Sequence, residues 1–299
     1  MNERIGFVGV GLMGHGMAKN LLAKGFPLTL RARRNRDNLA DLFAAGAKEV
    51  ATNAHVAAAS DVVILCVTGA QDIEEVVAGH EGLLTQSRSG MVIVDTATSE
   101  PSMTATMRAL CADKGVQYVD APLTRTPKEA EEGKLNTMVG ADATTFARLK
   151  PIFQAYCENV FHVGGPGAGH VIKLINNFVA QTIAVASAEA LAVAVKSGVD
   201  PKALHAVISA GGVNSGIFQM VAGRALEGDL TGMKFTLDNA RKDLRYYTHM
   251  LETLPFATTL GEATHQALVQ ACMLGFGDRF VPSLIEVHEK LTGVKVVPR

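Results

Sequence analysis

The stretch RIGFVGVGLMG at residues 4–14 decides the fold of the first half of the chain. Its apolar start predicts a buried β-strand, and a helical pattern follows the sequence Gly-x-Gly-x-x-Gly. In such a strand–turn–helix unit, Gly9 permits the tight turn, Gly11 lets a pyrophosphate approach the backbone, and Gly14 allows close helix–sheet packing. Leu12 and Met13 lie at the helix start, where free N–H groups face the phosphates. The pattern favours a dinucleotide site over glycines that serve packing alone.

Short apolar runs alternate with helical patterns through the rest of the first half. The predicted strands lie at 27–30, 62–67, 91–94, 116–119 and 137–139, and the predicted helices at 35–45, 71–78, 101–113 and 143–156. Strands and helices that alternate at this spacing are typical of βαβ crossovers in a mostly parallel sheet. We therefore predict an α/β Rossmann domain over residues 1–164.

The pattern changes at the sequence GGPGAG, residues 164–169. Glycine and proline interrupt regular structure there, and strand-like runs nearly vanish afterwards. We predict an all-helical domain for substrate binding and oligomerisation over residues 165–299, with helices at 170–197, 201–210, 214–226, 236–252, 259–274 and 281–291. The first helix is apolar but contains several polar residues, which favours burial inside protein over a membrane span.

The charge balance excludes some classes of partner. The 299 residues include 28 basic and 29 acidic ones, a net charge of −1, which argues against a nucleic acid or a membrane as partner. The four cysteines are scattered without CxxC spacing, and the first residues lead straight into a strand, so a cytoplasmic protein is expected. The nine histidines form no HExxH motif or other close ligand pair, so we expect no metal.

The end of the second predicted strand indicates which nucleotide binds. NAD sites usually carry an acidic residue there for the ribose 2′-hydroxyl, whereas a 2′-phosphate requires cations. The window holds Arg33 and Arg34 and no acid, which favours NADP(H) over NAD(H), and a solvated basic turn is the alternative. Val67 and Thr68 follow a later strand at the carboxyl edge of the sheet, and they are either further cofactor contacts or an ordinary strand exit.

Lys173 and Asn177 are the candidate catalytic pair. They lie four residues apart on a predicted helix and therefore share one face. A reductase must deliver a proton to the carbonyl oxygen, and a lysine does so when burial and neighbouring positive charge bring its pKa towards neutrality. The Asn177 amide would donate to the same oxygen or orient the lysine. The alternative is a lysine that reaches solvent from an apolar helix, with the asparagine in an interhelical hydrogen bond.

Five segments together resemble the β-hydroxyacid dehydrogenase family and occur in the family's order. They are GFVGVGLMG at 6–14, DTATSEP at 95–101, DAPLTRT at 120–126, GGPGAGHVIKLINN at 164–177 and FTLDNARKDL at 235–244. The resemblance implies NAD(P)-dependent oxidation or reduction of small hydroxyacids, with the active site between a Rossmann domain and a helical domain. It assigns the acid/base role to Lys173 and substrate binding to Asn177.

The same resemblance implies three more site residues. Lys242 matches a lysine close to cofactor and substrate, and its charge would also lower the pKa of Lys173. Phe235 matches a position near the nicotinamide or the substrate, with core packing as the alternative. Thr98 matches the threonine of a Ser-Thr pair near the cofactor, but Ala97 replaces the serine.

Residues 124–126 depart from the family's usual Ser-Gly-Gly, which holds the substrate carboxylate. Thr124, Arg125 and Thr126 stand there, and a guanidinium between two hydroxyls suits a bulky oxyanion on a small anionic substrate. The loop is nearest to that of sulfolactaldehyde reductases, which favours a sulfonated semialdehyde. A carboxylate semialdehyde, of the tartronate semialdehyde or 3-hydroxyisobutyrate type, is one alternative. Another is that Arg125 only pairs with a nearby acidic residue.

Other functions use the same fold. A non-catalytic NADP(H)-binding protein would not need a lysine at position 173, and imine reductases carry other acids there, so Lys173 disfavours both. The apolar helical domain predicts a homodimer or homotetramer, because exposed apolar helix faces require a partner.

Overall fold

The computed structural model describes residues 3–32 and 39–298 and divides into two compact units, Met1–Lys173 and Leu174–Arg299. The named strands of the described residues all lie in the first unit. They are β1 (Ile5–Val8), β2 (Leu28–Arg31), β3 (Lys48–Glu49), β4 (Val62–Leu65), β5 (Val92–Asp95), β6 (Gln117–Asp120), β7 (Leu123–Thr124), β8 (Leu135–Gly140) and β9 (Cys157–Gly164).

Helices connect most of these strands. They are α1 (Gly14–Ala23), α2 (Ala40–Ala44), α3 (Asn53–Ala59), α4 (Ala70–Ala78), α5 (Pro101–Ala112), α6 (Pro127–Glu131) and α7 (Ala143–Phe153), with a 3₁₀ turn at Leu83–Thr85. The strand order is β3-β2-β1-β4-β5-β6-β8-β7, with β9 beside β8. Strands β1 to β6 pair in parallel in the order 3-2-1-4-5-6 of the Rossmann fold, whereas β8 runs antiparallel to β6 and β7. The predicted α/β Rossmann domain with a mostly parallel sheet is confirmed.

The sheet has an apolar core on each face. Ile5 and Phe7 of β1 pack into one buried cluster, while Val8 packs into a second cluster with residues of β4 and β5. All four residues of β1, β4 and β5 are buried, as expected for parallel strands that helices cover on both sides. The apolar runs that predicted these strands reflect this two-sided burial.

The second unit is helical, as predicted. Its helices are α8 (Ala168–Lys196, which begins in the first unit), α9 (Pro201–Ala210), α10 (Gly216–Phe218), α11 (Leu237–Glu252), α12 (Thr259–Ala271) and α13 (Leu284–Thr292), with π- or 3₁₀-helical turns at Gln219–Gly223, Ala225–Glu227, Cys272–Phe276 and Val281–Ser283. A single bridge between Thr236 and Phe280 is its only β-pairing among the described residues.

Helix α8 is long and apolar enough to cross a membrane by length and composition, a test that core helices of soluble proteins also pass. Only 39% of its most apolar 18-residue window is buried. Exposed apolar residues include Val179 and Val193, at 49% and 56% exposure. The helix was expected to be buried inside the protein, but in a single chain only part of it is buried.

Candidate active site

The carboxyl ends of β1 and β4 border a pocket of about 360 Å³. Strand order reverses between these two strands, and open α/β sheets bind nucleotides at such a point. Four of the predicted cofactor residues, Gly9, Gly11, Val67 and Thr68, line this pocket together. The structure thus brings the glycine loop and the residues after β4 to one cavity.

The three glycines of the loop have different steric surroundings. Gly9 has a φ of +101°, and a Cβ on it would lie 2.2 Å from the carbonyl oxygen of Cys66. A Cβ on Gly14 would lie 2.1 Å from the carbonyl oxygen of Gly9. A Cβ on Gly11 would have nothing within 4 Å. The fold itself therefore requires Gly9 and Gly14, whereas Gly11 leaves open space.

The first turn of α1 fits the pyrophosphate of a dinucleotide. Met13 occupies the N-cap position, and no side chain accepts a hydrogen bond from the turn. Leu12 beside it is 82% exposed. An uncapped helix start presents free N–H groups, and the open space at Gly11 lets an anion reach them. These residues would hold the pyrophosphate of a dinucleotide cofactor.

Arg31 at the end of β2 lines the same pocket. Its guanidinium donates to Oδ1 of the buried Asn53 at 3.0 Å. Arg33 and Arg34, which the sequence suggests for a 2′-phosphate, lie outside the described residues. The described part of the pocket therefore holds one cationic side chain at the position where the nucleotide ribose is selected.

Acidic side chains reach the pocket from a different element. Asp72 and Glu75 of α4 both line it. From the sequence, an acidic residue was considered only at the end of β2, because NAD sites usually carry one there. A carboxylate from a neighbouring helix has no such signal in the sequence, and only the packing of α4 beside the pocket reveals it.

The two threonines of the predicted substrate loop have partners within the first unit. The Thr124 hydroxyl accepts a hydrogen bond from the Asn136 amide at 3.2 Å. Thr126 is the N-cap of α6, in a reciprocal capping box with Glu129. Both side chains therefore already stabilise the fold of the loop.

Arg125 has a φ of 80°, in the left-handed region that glycine adopts without cost. Its Nη1 lies 2.5 Å from a carboxylate oxygen of Glu158 and donates to the carbonyl oxygen of Lys134 at 2.5 Å. Of the two possibilities drawn from the sequence, the structure contains the ion pair with a nearby acidic residue. An incoming anion would have to compete with Glu158 for the guanidinium.

Thr98 follows β5 and is partly exposed. On either side of it, the Thr96 hydroxyl donates to the Leu65 carbonyl oxygen at 2.6 Å, and the Ser99 hydroxyl is buried with no hydrogen-bond partner among the described residues. Thr98 thus has the exposure that a ligand contact needs, while its neighbours point into the protein.

Two fully buried carboxylates at adjacent strand ends meet the start of α8. Asp95 ends β5 and lies beside Asp120, which ends β6. Asp120 Oδ1 accepts from the Gly167 N–H at 2.7 Å, and its Oδ2 accepts from the His170 N–H at 3.0 Å. A Cβ on Gly169 would lie 2.8 Å from Asp120 Oδ2, so glycine is needed for this close approach.

The His170 side chain is also fully buried. Its Nδ1 lies 2.6 Å from the hydroxyl oxygen of Thr104, and its Nε2 lies 3.6 Å from Asp95 Oδ2. Tyr118 donates to the same carboxylate oxygen at 2.7 Å, and burial raises the pKa of Asp95 above its usual range. We call Asp95, Thr104, Asp120 and His170 the helix-start cluster. No motif in the sequence predicted this cluster, although His170 stands only three residues before Lys173.

In the second unit, Asn177 is 7% exposed and uses both ends of its amide. Its nitrogen donates to Asp243 Oδ2 at 2.6 Å, and its oxygen accepts from the Asn176 amide at 3.1 Å. The first contact is a hydrogen bond between α8 and α11. This is the interhelical bond that the sequence analysis gave as the alternative role of Asn177. It also holds the amide in one orientation.

Phe235 precedes α11, and Lys242 lies in the second turn of that helix. The ammonium of Lys242 is 3.2 Å from Asp243 Oδ1, so its charge is paired within the second unit. Phe235 is partly buried, and its carbonyl oxygen accepts from the Val281 N–H at 2.9 Å.

Two family models match consecutive parts of the chain. Residues 4–164 match the model described as the NAD binding domain of 6-phosphogluconate dehydrogenase. Residues 167–287 match the model described as NAD-binding of NADP-dependent 3-hydroxyisobutyrate dehydrogenase.

Curated relatives and solved structures match nearly the whole chain. It is 34% identical over 298 residues to 2-(hydroxymethyl)glutarate dehydrogenase of Eubacterium barkeri, covering 98% of this chain and 97% of that one. It is 31% identical to 2-hydroxy-3-oxopropionate reductase of Escherichia coli strain K12, covering 98% and 99%. The crystal structure of 3-hydroxyisobutyrate dehydrogenase from Salmonella typhimurium matches with a TM-score of 0.83 at 26% identity, covering 95% and 99%.

A glycine-rich pocket at the strand reversal and two nucleotide-binding family models define an NAD(P)-dependent oxidoreductase. The prediction of an enzyme is confirmed, which sets aside the non-catalytic alternative. The chain belongs to the β-hydroxyacid dehydrogenase family, of the 3-hydroxyisobutyrate dehydrogenase and tartronate semialdehyde reductase type.

Proposed function

We propose that the protein interconverts a small β-hydroxyacid and its semialdehyde with NADP(H), and that Lys173 is the general acid/base. One observation carries the proposal. Lys173 is partly buried in the same compact unit as the glycine pocket, on a helix whose first turn is bonded to the carboxyl end of β6. Ligands of open α/β sheets bind at the carboxyl ends of the strands. The helix that carries Lys173 therefore starts at the ligand-binding edge.

The side chains divide the chemical work. A bound nicotinamide supplies or accepts the hydride. Lys173 donates a proton to the carbonyl oxygen in reduction and removes it from the hydroxyl in oxidation. Asn177 binds substrate through an amide whose orientation the Asp243 contact fixes. Thr98, Phe235 and Lys242 complete the proposed set of cofactor and substrate contacts.

The preference for NADP(H) over NAD(H) rests on the cations at the end of β2. Arg31 lines the nucleotide pocket, and Arg33 and Arg34 follow it in the sequence. Arginine binds a phosphate through two parallel hydrogen bonds, and the 2′-hydroxyl of NAD(H) cannot form this pair of contacts. The cofactor selected should therefore be the one that carries a 2′-phosphate.

The acid group of the substrate is assigned to the loop of Thr124, Arg125 and Thr126. The names of the relatives 2-(hydroxymethyl)glutarate dehydrogenase and 2-hydroxy-3-oxopropionate reductase support a carboxylate. A sulfonate is the second candidate, because Arg125 places a guanidinium in the loop. Either anion must displace Glu158 from the Arg125 guanidinium or share the guanidinium with it.

A panel of small aldehydes assayed with NADPH and NADH tests the proposed function. The panel contains carboxylate semialdehydes, sulfolactaldehyde and uncharged aldehydes of equal length. We expect oxidation of NADPH in preference to NADH, and only with the acidic aldehydes. Equal rates with uncharged aldehydes would contradict the anion site, and faster turnover of NADH would contradict the cofactor assignment.

Two substitutions at the Arg125–Glu158 pair should change the KM for the acidic substrate in opposite directions. Arg125→Gly removes the guanidinium and should raise this KM about tenfold, since a hydrogen bond to a charged group contributes about 1.5–3 kcal/mol. Glu158→Gln removes the competing carboxylate and should lower the same KM. An equal effect of Arg125→Gly on uncharged aldehydes would show that Arg125 does not bind the anion.

We further propose a cytoplasmic homodimer or homotetramer that takes a small anionic substrate. The four cysteines are free thiols, and apolar side chains of the helical unit are exposed in the single chain, among them Met273 at 83%. Contact with another copy would cover such side chains. A monomer in analytical ultracentrifugation at micromolar concentration would contradict the assembly.

A further inference from the structure

We propose that the His170–Thr104 contact positions Lys173, so that His170 is a positioning residue for the proton transfer; the inference rests on the proposed role of Lys173. His170, Thr104 and Lys173 all belong to the first unit. The contact joins the first turn of α8 to α5, the helix between β5 and β6. Asp120 fixes the same turn through backbone N–H groups.

The two contacts restrain different movements of the helix. Asp120 binds the N–H groups of Gly167 and His170 and thereby fixes where the first turn lies along the axis. The imidazole of His170 extends sideways from that turn to the Thr104 hydroxyl at 2.6 Å, so this contact resists rotation of the helix about its axis. Both side chains are at most 1% exposed, and water does not replace the bond readily.

Lys173 lies close enough to depend on this restraint. Three residues correspond to about 4.5 Å along an α-helix and leave Lys173 about 60° around the axis from His170. A small rotation of the first turn therefore moves the lysine ammonium sideways. Displacement of a catalytic group by about 1 Å can cost about 10²-fold in rate. The contact thus affects the rate without touching the substrate.

The contact with Thr104 is the one hydrogen bond of the His170 imidazole among the described residues. Its Nε2 has no hydrogen-bond partner among the described residues, and its ion-pair contact with Asp95 Oδ2 is long, at 3.6 Å. A leucine would fill this place without burying an unsatisfied nitrogen. The Nδ1 contact with Thr104 is therefore the hydrogen bond that a leucine at position 170 would remove.

The test is Thr104→Val, which removes the hydroxyl, keeps the shape of the side chain and leaves α8 unchanged. We expect kcat to fall about tenfold or more, because Lys173 loses its fixed position, while the dissociation constant of NADPH stays unchanged. His170→Leu should act similarly. His170→Asn, whose amide can stand in for Nδ1, should recover most of the rate.

Thr145→Val is the matched control. Thr145 is buried like Thr104, and its hydroxyl bonds to Asp142 at 2.7 Å, on a helix that does not carry Lys173. Both threonine variants should lower the unfolding temperature to a similar degree, but only Thr104→Val should lower kcat.

A double-mutant cycle with Lys173→Ala separates this inference from the proposed function. If His170 and Thr104 act through the lysine, Thr104→Val should have no further effect on the residual rate of Lys173→Ala. Normal turnover by Lys173→Ala would overturn the proposed function and this inference with it. The positioning role alone would be overturned if Lys173→Ala is slow while Thr104→Val and His170→Leu both keep a kcat within twofold of the native value. An equal effect of Thr104→Val in both backgrounds, or a weaker affinity for NADPH in place of the lower kcat, would also overturn it.

Discussion

Lys173→Ala is expected to lower kcat by about 10²- to 10⁴-fold, the usual loss when a general acid/base is removed. Alanine is the strongest helix former, so α8 should persist and the unfolding temperature should change little. The glycine pocket that would hold the nucleotide contains no atom of this side chain, and the dissociation constant of NADPH should therefore be unchanged. Steady-state kinetics and NADPH fluorescence titration measure the two quantities separately.

The control for this prediction is Lys196→Ala at the other end of the same helix. Lys196 is exposed and donates to the Thr292 carbonyl oxygen, so its loss removes an equal charge from α8 without affecting the chemistry. Small alkylamines added to Lys173→Ala should partly restore turnover and should leave Lys196→Ala unaffected. If Lys173→Ala keeps a native kcat, the lysine is not the proton donor.

Gly11→Ala is expected to weaken NADP(H) binding at least about tenfold without destabilising the fold. A Cβ at this position meets no protein atom within 4 Å, and φ at Gly11 is not positive, so we expect the free energy of unfolding to change by less than about 0.5 kcal/mol. The added methyl group would instead occupy the space through which the pyrophosphate approaches the backbone. Fluorescence titration and thermal unfolding of the same sample test both parts.

Gly9→Ala should have the opposite profile. Its φ of +101° and the Cys66 carbonyl oxygen 2.2 Å from the added Cβ both oppose alanine. Backbone strain and overpacking together should lower the free energy of unfolding by about 3 kcal/mol or more. A Gly11→Ala variant that binds NADP(H) as tightly as the native protein would show that the pyrophosphate lies elsewhere.

Much of the fold follows from local sequence patterns. Strands β1, β4 and β5 are buried on both sides, and their unbroken apolar runs predict them without knowledge of their neighbours. Most helices of the second unit likewise begin and end near the predicted residues. The helix predicted at 214–226 is instead a three-residue α-helix followed by π- and 3₁₀-helical turns. By contrast, β3 and β7 have two residues each, and β9 is largely exposed, so none of them has a pattern that stands out from a loop.

The sequence predicted only part of the candidate site. The glycine loop and Lys173 are contained in short motifs whose chemistry is local. The Glu158 partner of Arg125 is distant in the sequence and lies in no motif. The Asp243 partner of Asn177 lies in the segment at 235–244, but nothing in that segment indicates the contact with Asn177. Both partners change what the predicted residues are free to bind.

The amino-acid sequence alone determined the Rossmann and helical halves, the nucleotide loop and the lysine proposed for proton transfer, because backbone sterics and hydrophobic periodicity act over a few neighbouring residues. The tertiary structure decided which side chains those residues meet: Asp120 with the start of α8, Thr104 with His170, and Glu158 with Arg125. Such contacts depend on the order of the strands in the sheet and on how the helices pack, and hydrogen bonds between residues so far apart leave no periodic pattern in the chain.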